Sequence, residues 1–352
     1  MTANHEITLE AVRNYYGRVL QHSDDLQTSA CCTAERLPPR LAEIEALIHP
    51  EVKEKFYGCG SPLPLAVEGL TALDLGCGSG RDVFLLSKLV GERGQVIGID
   101  MTDEQLAVAR KHLEHHRQAF VQAGSNVRLV SGYIEDLASA DIVTASVDLV
   151  VSNCVVNLSP DKQRVFAEIF RVLKPGGELY FSDVFAGRRV PAPLREDPVL
   201  LGECLGGALY IEDFRRMLRD VGCLDYRVVA ERRLTLDNPD IERRAGMIDF
   251  HSVTIRAFKL DLEDLCEDYG QVAYYKGTIP ESPDRFILDR HHVFEVGRPM
   301  LVCGNTAAML SETRYGAHFD IVGDRSVHYG VFDCGPEPGL SATGAAATGA
   351  CC

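Results

Sequence analysis

The sequence predicts an α/β fold with a doubly wound, Rossmann-like parallel sheet, an N-terminal helical lead-in and a smaller C-terminal α+β domain. Short apolar strands alternate with amphipathic helices between about residues 70 and 185, and a glycine-rich segment joins the first strand to its helix. Beyond residue 237 the periodicity weakens. We therefore predict a helical cap over 1–60, a cofactor-binding domain over 61–236, an α+β domain over 237–335 and a disordered tail over 336–352.

Composition and charge limit the function classes. The chain has 352 residues, of which 46% are hydrophobic and 25% charged, so it can bury a core and is not disordered as a whole. Its formal net charge of −15 argues against nucleic acids and anionic membranes as partners. There is no apolar run of membrane-spanning length, and the polar start is unlike a secretory signal. We expect a cytoplasmic location.

The N-terminal elements follow from apolar spacing. Residues 7–20 place apolar and aromatic side chains at helical intervals, and residues 41–50 predict a second amphipathic helix that Pro50 ends. The polar segment between them predicts an exposed loop.

The alternating region predicts a parallel sheet, because each strand is followed by a helix that returns the chain to the same edge. The almost continuously apolar strand 147–152 is typical of a strand covered on both faces. Thr102 with Gln105 fits a capping box, and Ser159 with Pro160 fits an N-cap and first-turn proline. The predicted strands are 69–73, 95–100, 127–130, 147–152 and 178–183. The predicted helices are 81–90, one from Thr102, 159–173 and 211–218, with a turn at 174–177.

The segment DLGCGSG, residues 74–80, is the sharpest motif. It follows a strand and opens a helix, and Gly76, Gly78 and Gly80 let the backbone approach a ligand closely. Asp74 before the first glycine would repel a pyrophosphate and favour a cation such as an amino group. Asp100 ends the second strand, where a carboxylate accepts hydrogen bonds from ribose hydroxyls.

This constellation resembles the class I S-adenosylmethionine-dependent methyltransferases over about residues 65–185. The resemblance implies that Met101 flanks the adenine of the cofactor, and that Ile134 and Glu135, in GYIEDL, contact it. It also implies that Asn153 lies near the methionyl end.

Cysteine is unusually frequent, with 12 residues, yet no C-x-x-C pair of the kind that closed zinc sites contain occurs. A cytosolic chain of this length needs no disulfides to hold its fold. Most of these cysteines are expected to be small buried residues, among them Cys77, Cys223, Cys266, Cys303 and Cys334. Cys154 differs, because it follows the fourth strand at the edge where the methyl donor is expected, and a thiol there suits a soft acceptor.

Longer motifs resemble the arsenite methyltransferases across almost the whole chain. They are DLQTSAC at 25–31, FYGCG at 56–60, SNCVVNL at 152–158, GECLGGALY at 202–210 and SVTIRAFK at 252–259. The resemblance implies that four cysteines bind arsenic(III) and act in catalysis: Cys31, Cys59, Cys154 and Cys204. Cys32 is adjacent to Cys31 and remains an alternative to it.

The resemblance also implies a division of labour. Cys154 and Cys204 would hold arsenic during methyl transfer, whereas Cys59 with Cys31 would complete the ligand set and form disulfides that restore trivalent arsenic. Glutathione or thioredoxin would then serve as thiol reductant. The substrates would be arsenite and methylated arsenicals, and we expect a monomer.

Two other functions share parts of this pattern. A C-methyltransferase of a quinone or sterol would share the sheet and the glycine loop but would have no thiol requirement. A non-enzymatic soft-metal-binding protein would use the cysteines for binding alone. Two side-chain roles also stay open: Tyr57 lines the acceptor pocket or belongs to the core, and Cys351 and Cys352 form an arsenic-capturing tail or have no specific role.

Overall fold

A computed structural model describes residues 3–19, 37–58 and 62–333. The predictions for Cys31, Cys32, Cys59, Cys334, Cys351, Cys352 and the tail 336–352 therefore lie outside the described residues. In the described ranges, no helix is both long and apolar enough to cross a bilayer.

The described strands begin with the large sheet and end in the C-terminal region. They are β1 (Thr71–Leu75), β2 (Gln95–Asp100), β3 (Val127–Ser131), β4 (Val147–Asn153), β5 (Leu173–Ala186), β6 (Leu209–Tyr210), β7 (Tyr226–Arg233), β8 (Phe250–Phe258), β9 (Glu267–Asp268), β10 (Gln271–Tyr275), β11 (Arg285–Ile287), β12 (Val293–Glu295), β13 (Pro299–Val302), β14 (Phe319–Val322) and β15 (Gly330–Val331).

The described α-helices are α1 (Ala3–Asn14), α2 (Pro39–Glu45), α3 (Pro50–Glu54), α4 (Arg81–Val90), α5 (Asp103–Lys111), α6 (Leu113–Ala119), α7 (Lys162–Val172), α8 (Ala192–Arg195), α9 (Pro198–Gly202), α10 (Ile211–Asp220), α11 (Pro239–Ala245) and α12 (Gly304–Ser311). A π-helical turn, Tyr15–Val19, continues α1, and short 3₁₀ turns cover Val156–Leu158 and Arg314–His318.

An eight-stranded sheet forms the centre, in the order β3-β2-β1-β4-β5-β8-β7, with β6 paired to β5. Strands β1 to β5 run parallel, which confirms the predicted fold class. The sheet is mixed, however, because β8 pairs antiparallel with both β5 and β7. The apolar run of β4 is buried between the helical layers, as a strand covered on both faces requires.

The C-terminal region adds a smaller layer beside this sheet. Strands β13, β10 and β14 form an antiparallel sheet, and α12 packs with it around a core that includes Tyr275, Phe286 and Phe294. Strand β8 follows the boundary predicted at residue 236 but lies inside the large sheet. We therefore propose that the C-terminal domain begins after Phe258.

Several predicted element ends differ from the structure. Asp161, not Ser159, caps α7, and its side chain accepts from the Arg164 N–H. The Ser159 hydroxyl instead donates to Glu135 at 2.5 Å. Pro50 begins α3 rather than ending a helix, because a proline at the first position gives up no helical hydrogen bond.

The capping box predicted at α5 is wrong. The side chain of Thr102 caps nothing, and Gln105 donates from Nε2 to the carbonyl oxygen of Tyr16 at 3.0 Å. The turn predicted at 174–177 is instead part of β5, where the register against β4 shifts. At α5, the hydrogen bond from Gln105 to the distant N-terminal segment thus takes the place of the predicted capping box.

Candidate functional site

The glycine loop lies between β1 and α4 at the carboxyl edge of the sheet. Gly76, Gly78 and Gly80 all have positive φ, at 65°, 51° and 92°. A Cβ on Gly76 would lie 2.4 Å from the Val155 side chain, so only glycine fits there. A Cβ on Gly78 would meet nothing within 4 Å, so this part of the loop faces open space that a ligand can enter.

Buried acids surround this loop. Asp100 accepts from the N–H groups of Gly78, at 2.8 Å, and Thr102, at 2.7 Å. Burial raises the pKa of Asp100, and these backbone donors oppose the shift. Burial and the neighbouring Asp82 and Asp100 carboxylates raise the pKa of Asp74 well above its usual value. A cationic ligand would therefore relieve an unfavourable concentration of negative charge.

The predicted cofactor residues line one cavity, with Gly80 as the exception. Its walls include Asp74, Gly76, Gly78, Asp100, Met101, Ile134, Glu135 and Asn153. Glu135 is buried and accepts from Ser159, and Asn153 donates from Nδ2 to Asp82 at 3.0 Å. Gly80 instead serves as the N-cap of α4, with Phe84 and Ala109 close to where its Cβ would lie.

Residues before the sheet close the cavity on a second side. Tyr16, Phe56 and Tyr57 line it, and the rings of Tyr16 and Tyr57 lie 5.7 Å apart in an edge-to-face arrangement. The Ser79 hydroxyl donates to the carbonyl oxygen of Val52 at 2.8 Å, which holds this segment on the glycine loop. Of the two interpretations left open for Tyr57, the structure favours the lining of a pocket.

Two cysteines meet beside the cavity: Cys154 lines it, and Cys204 lies behind Cys154. Sulfur atoms of Cys154 and Cys204 lie within 4.8 Å of each other, and Cys204 donates from Sγ to the carbonyl oxygen of Cys154 at 3.2 Å. Both backbones are left-handed, with φ of 58° and 62°. This conformation costs a non-glycine residue about 1–3 kcal/mol, and such strain is concentrated at functional sites. Cys154 is disulfide-bonded in this state.

Asp183 is a site residue that the sequence reasoning missed. Its carboxylate lies within 4.8 Å of both sulfur atoms, at the carboxyl end of β5, and it is fully buried. It accepts from Asn157 Nδ2 at 2.7 Å and from the Val184 N–H at 2.8 Å. Burial raises the pKa of Asp183 to about 7, although the backbone N–H groups of Val184 and Asn157 and the charge of Lys162 oppose the shift. The signal that identified Asp100, a carboxylate at the end of an apolar strand, could also have identified Asp183 from the sequence.

The N-terminal helix ties the two halves of the site together. The Tyr16 hydroxyl donates to the Gly202 carbonyl oxygen at 2.7 Å, and the Tyr15 hydroxyl donates to Glu203 at 3.0 Å. The carbonyl oxygen of Tyr16 accepts from Gln105 on the cofactor side. The loop that carries Cys204 is therefore held by the same helix that covers the cavity.

The remaining described cysteines stand apart from this pair. Cys223 and Cys303 are buried, as predicted, whereas Cys266 is only half-buried and departs from that prediction. Cys77 lines the cavity, but burial, Asp100 and Asp74 raise the pKa of its thiol well above the usual value. It therefore stays protonated, which fits its interpretation as a small filler.

Two family models and several known proteins match this chain. Residues 66–222 match a methyltransferase domain model, and residues 268–334 match the arsenite methyltransferase C-terminal domain model. An arsenite methyltransferase of Aquipseudomonas alcaligenes is 51% identical over 93% of this chain and 94% of its own length. The mouse arsenite methyltransferase is 45% identical over 88% of this chain and 82% of its own.

A solved structure is similar over most of the fold. The arsenic(III) S-adenosylmethionine methyltransferase from Chlamydomonas reinhardtii superimposes with a TM-score of 0.82 at 50% identity. The match covers 85% of this chain and all of that structure.

Proposed function

This chain belongs to the arsenite methyltransferase family, and we propose that it holds its acceptor, trivalent arsenic, on the sulfur atoms of Cys154 and Cys204. It transfers methyl groups from S-adenosylmethionine to arsenic. The observation that carries the proposal is the approach of these two sulfur atoms to within 4.8 Å of each other, with Cys154 lining the cofactor cavity.

The donor site fits a cationic, ribose-bearing cofactor. Asp74 and Asp82 supply negative charge beside the glycine loop, which favours the amino group and the sulfonium of S-adenosylmethionine. Asp100 has further lone pairs for ribose hydroxyls, and Met101, Ile134 and Glu135 supply the adenine wall. When bound, the cofactor supplies an electrophilic methyl group. The protein orients it by these contacts and excludes water with Tyr16 and Tyr57.

The acceptor half of the reaction needs orientation rather than a base. Each cysteine thiol replaces one hydroxide of arsenous acid, and the thiol proton leaves with that hydroxide as water. Arsenic then retains one lone pair. This lone pair would attack the methyl carbon, so that an arsenic–carbon bond forms while the carbon–sulfur bond of the donor breaks and the donor sulfur keeps the electrons of that bond. Holding arsenic and the methyl donor in line would lower the activation barrier by about 7–11 kcal/mol.

Methylation oxidises arsenic by two electrons, so the cycle needs a reductant. We assign Cys31 and Cys59 to the third ligand position and to disulfide formation, which returns two electrons to arsenic. Glutathione or thioredoxin then reduces the disulfide. The disulfide at Cys154 would have to be reduced before that thiol could bind arsenic. We place the reaction in the reducing cytoplasm, where thiol reductants are abundant, and on a monomer.

X-ray absorption at the arsenic edge tests the proposal. We expect reduced protein loaded with one equivalent of arsenite to show a sulfur-only first shell. The Cys154→Ser variant should lose a sulfur neighbour. An oxygen or nitrogen shell in the intact protein would contradict thiolate binding. Such a result would overturn the thiolate site and would leave the membership of the arsenite methyltransferase family unaffected.

Asp183→Asn should lower kcat/KM for arsenite methylation about 100-fold, with the affinity for S-adenosylmethionine unchanged. The variant places an amide N–H where the carboxylate now accepts from Asn157 and Val184, so the edge that carries the two sulfur atoms shifts. A misplacement of about 1 Å is sufficient for a loss of this size.

Asp148→Asn is the matched control for this variant. Asp148 also lies on a strand of the large sheet, and it accepts from the Thr71 N–H at 2.9 Å at the edge away from the site. Equal losses in both variants would show a general effect on the sheet and would contradict a positioning role for Asp183.

A further inference from the structure

A cluster of imidazole and carboxylate groups lies outside the methyl-transfer site. Ligating atoms of His49, Glu51 and His112 all lie within 4.8 Å of one another. His112 is buried, and its Nε2 lies 2.7 Å from Glu51 Oε2. The His49 and His112 rings stack, with centroids 3.7 Å apart, and His115 packs edge-on against His49 at 5.1 Å.

The hydrogen bonds that His49, Glu51 and His112 make do not prevent them from binding a metal ion. His49 Nδ1 accepts from the Glu51 N–H at a long 3.2 Å, so a metal ion that binds Nδ1 would displace only this weak hydrogen bond, while Nε2 keeps its proton. Glu51 Oε2 also accepts from Lys111 Nζ at 2.7 Å, but Lys111 is exposed and can turn into solvent. An ion at this position would displace the His112–Glu51 hydrogen bond and the long hydrogen bond to His49. Its own bonds to the same three side chains would replace them.

Two imidazoles and one carboxylate are the donor set of borderline divalent metals. Zinc takes histidine nitrogen and carboxylate oxygen ligands in tetrahedral sites, and a water or a fourth side chain completes the set. We propose that His49, Glu51 and His112 form a binding site for a divalent transition-metal ion of the zinc type. His115 or water occupies the fourth position.

The place of the cluster indicates what the ion would do. His49 and Glu51 lie at the start of α3, whereas His112 lies at the junction of α5 and α6. The segment that follows α3 carries Phe56 and Tyr57 into the cofactor cavity. A bound ion would therefore fix this wall of the cavity to the helices that follow Asp100, as a structural staple remote from the reacting sulfur atoms.

The test is zinc binding to the full-length reduced protein, measured by stoichiometry and by X-ray absorption at the zinc edge. The cysteines also bind zinc, so the shell distances must separate the two classes: about 2.0–2.1 Å for nitrogen and about 2.3 Å for sulfur. We expect His49→Ala and Glu51→Gln each to lose one equivalent of zinc together with the nitrogen and oxygen shell. Zinc should also raise the melting temperature of the intact protein by more than that of these variants, which keep only the cysteine ligands.

His328→Ala is the matched control, because His328 pairs with Glu267 at 2.9 Å on the surface without a second imidazole. It should bind as much zinc as the intact protein. Glu51→Gln guards against misfolding, since it keeps the size of the side chain, and circular dichroism of the metal-free variants checks their fold. An unchanged stoichiometry in His49→Ala and Glu51→Gln, or a shell of sulfur alone in the intact protein, would overturn the proposal.

Discussion

Cys204→Ser should abolish arsenite methylation, with a loss of at least about 1,000-fold, while the protein still binds S-adenosylmethionine. Serine is nearly isosteric and can keep the hydrogen bond to the carbonyl oxygen of Cys154, so the fold should survive. Its hydroxyl is a poor ligand for soft arsenic, and the acceptor loses the fixed position on which the rate depends. Turnover with a labelled methyl donor, together with calorimetric titration of that donor, measures both effects. Cys154→Ser should behave in the same way.

Cys223→Ser is the matched control. Cys223 is equally buried, and its Sγ donates to the Asp225 carbonyl oxygen at 3.3 Å, but it lies in the core beneath α10. It should keep near-normal turnover. Full activity in Cys204→Ser would remove Cys204 from the acceptor site, whereas a loss in all three variants would indicate a general sensitivity to cysteine replacement.

The other two predicted cysteines give a finer test of the same centre. Cys31→Ser and Cys59→Ser should slow the first methylation of inorganic arsenite more than later steps, because methylated arsenicals have fewer positions left for sulfur. Product analysis over time separates the steps. An equal loss at every step would contradict this division of roles.

The cofactor half of the site could be predicted because its information is local. One strand, one loop and one helix start carry Gly76 and Gly78, and Asp100 ends the next strand in both sequence and space. The position of Asp183 depends instead on register. Pairing of Asn153 with Ser182 brings the ends of β4 and β5 together, and the loop with Cys204 returns some 20 residues later. No periodicity in the sequence predicts that Asp183 and the two cysteines come together.

Errors at helix ends have a common physical cause. Ser159 and Asp161 are both competent N-caps, but buried Glu135 binds the Ser159 hydroxyl, which leaves the cap to Asp161. Gln105 likewise binds the backbone of Tyr16 from the distant N-terminal helix. Local propensities are worth about 1 kcal/mol, so one buried tertiary hydrogen bond is enough to override them.

Glu178→Ala should lower the free energy of unfolding by about 3–5 kcal/mol. Glu178 is fully buried on β5 and accepts from Arg256 Nε at 2.6 Å, and it also pairs with Arg314 from the C-terminal region. Removing the carboxylate takes the counter-charge from the buried guanidinium of Arg256 and from the partly buried one of Arg314, which costs far more than a lost surface pair. Urea unfolding followed by circular dichroism measures the change.

Two further variants test whether the loss of the buried ion pairs causes the lower stability of Glu178→Ala. Glu178→Gln keeps an acceptor for Arg256 and should cost less than Glu178→Ala. Glu295→Ala removes the exposed pair with Arg298 at 2.9 Å and should cost less than about 1 kcal/mol. Because Glu178 lies near the middle of β5, whereas Asp183 beside the sulfur atoms lies toward its carboxyl end, folded Glu178→Ala protein should still methylate arsenite at low temperature. If Glu178→Ala cost no more than Glu295→Ala, the buried network would not be what anchors the C-terminal domain to the sheet.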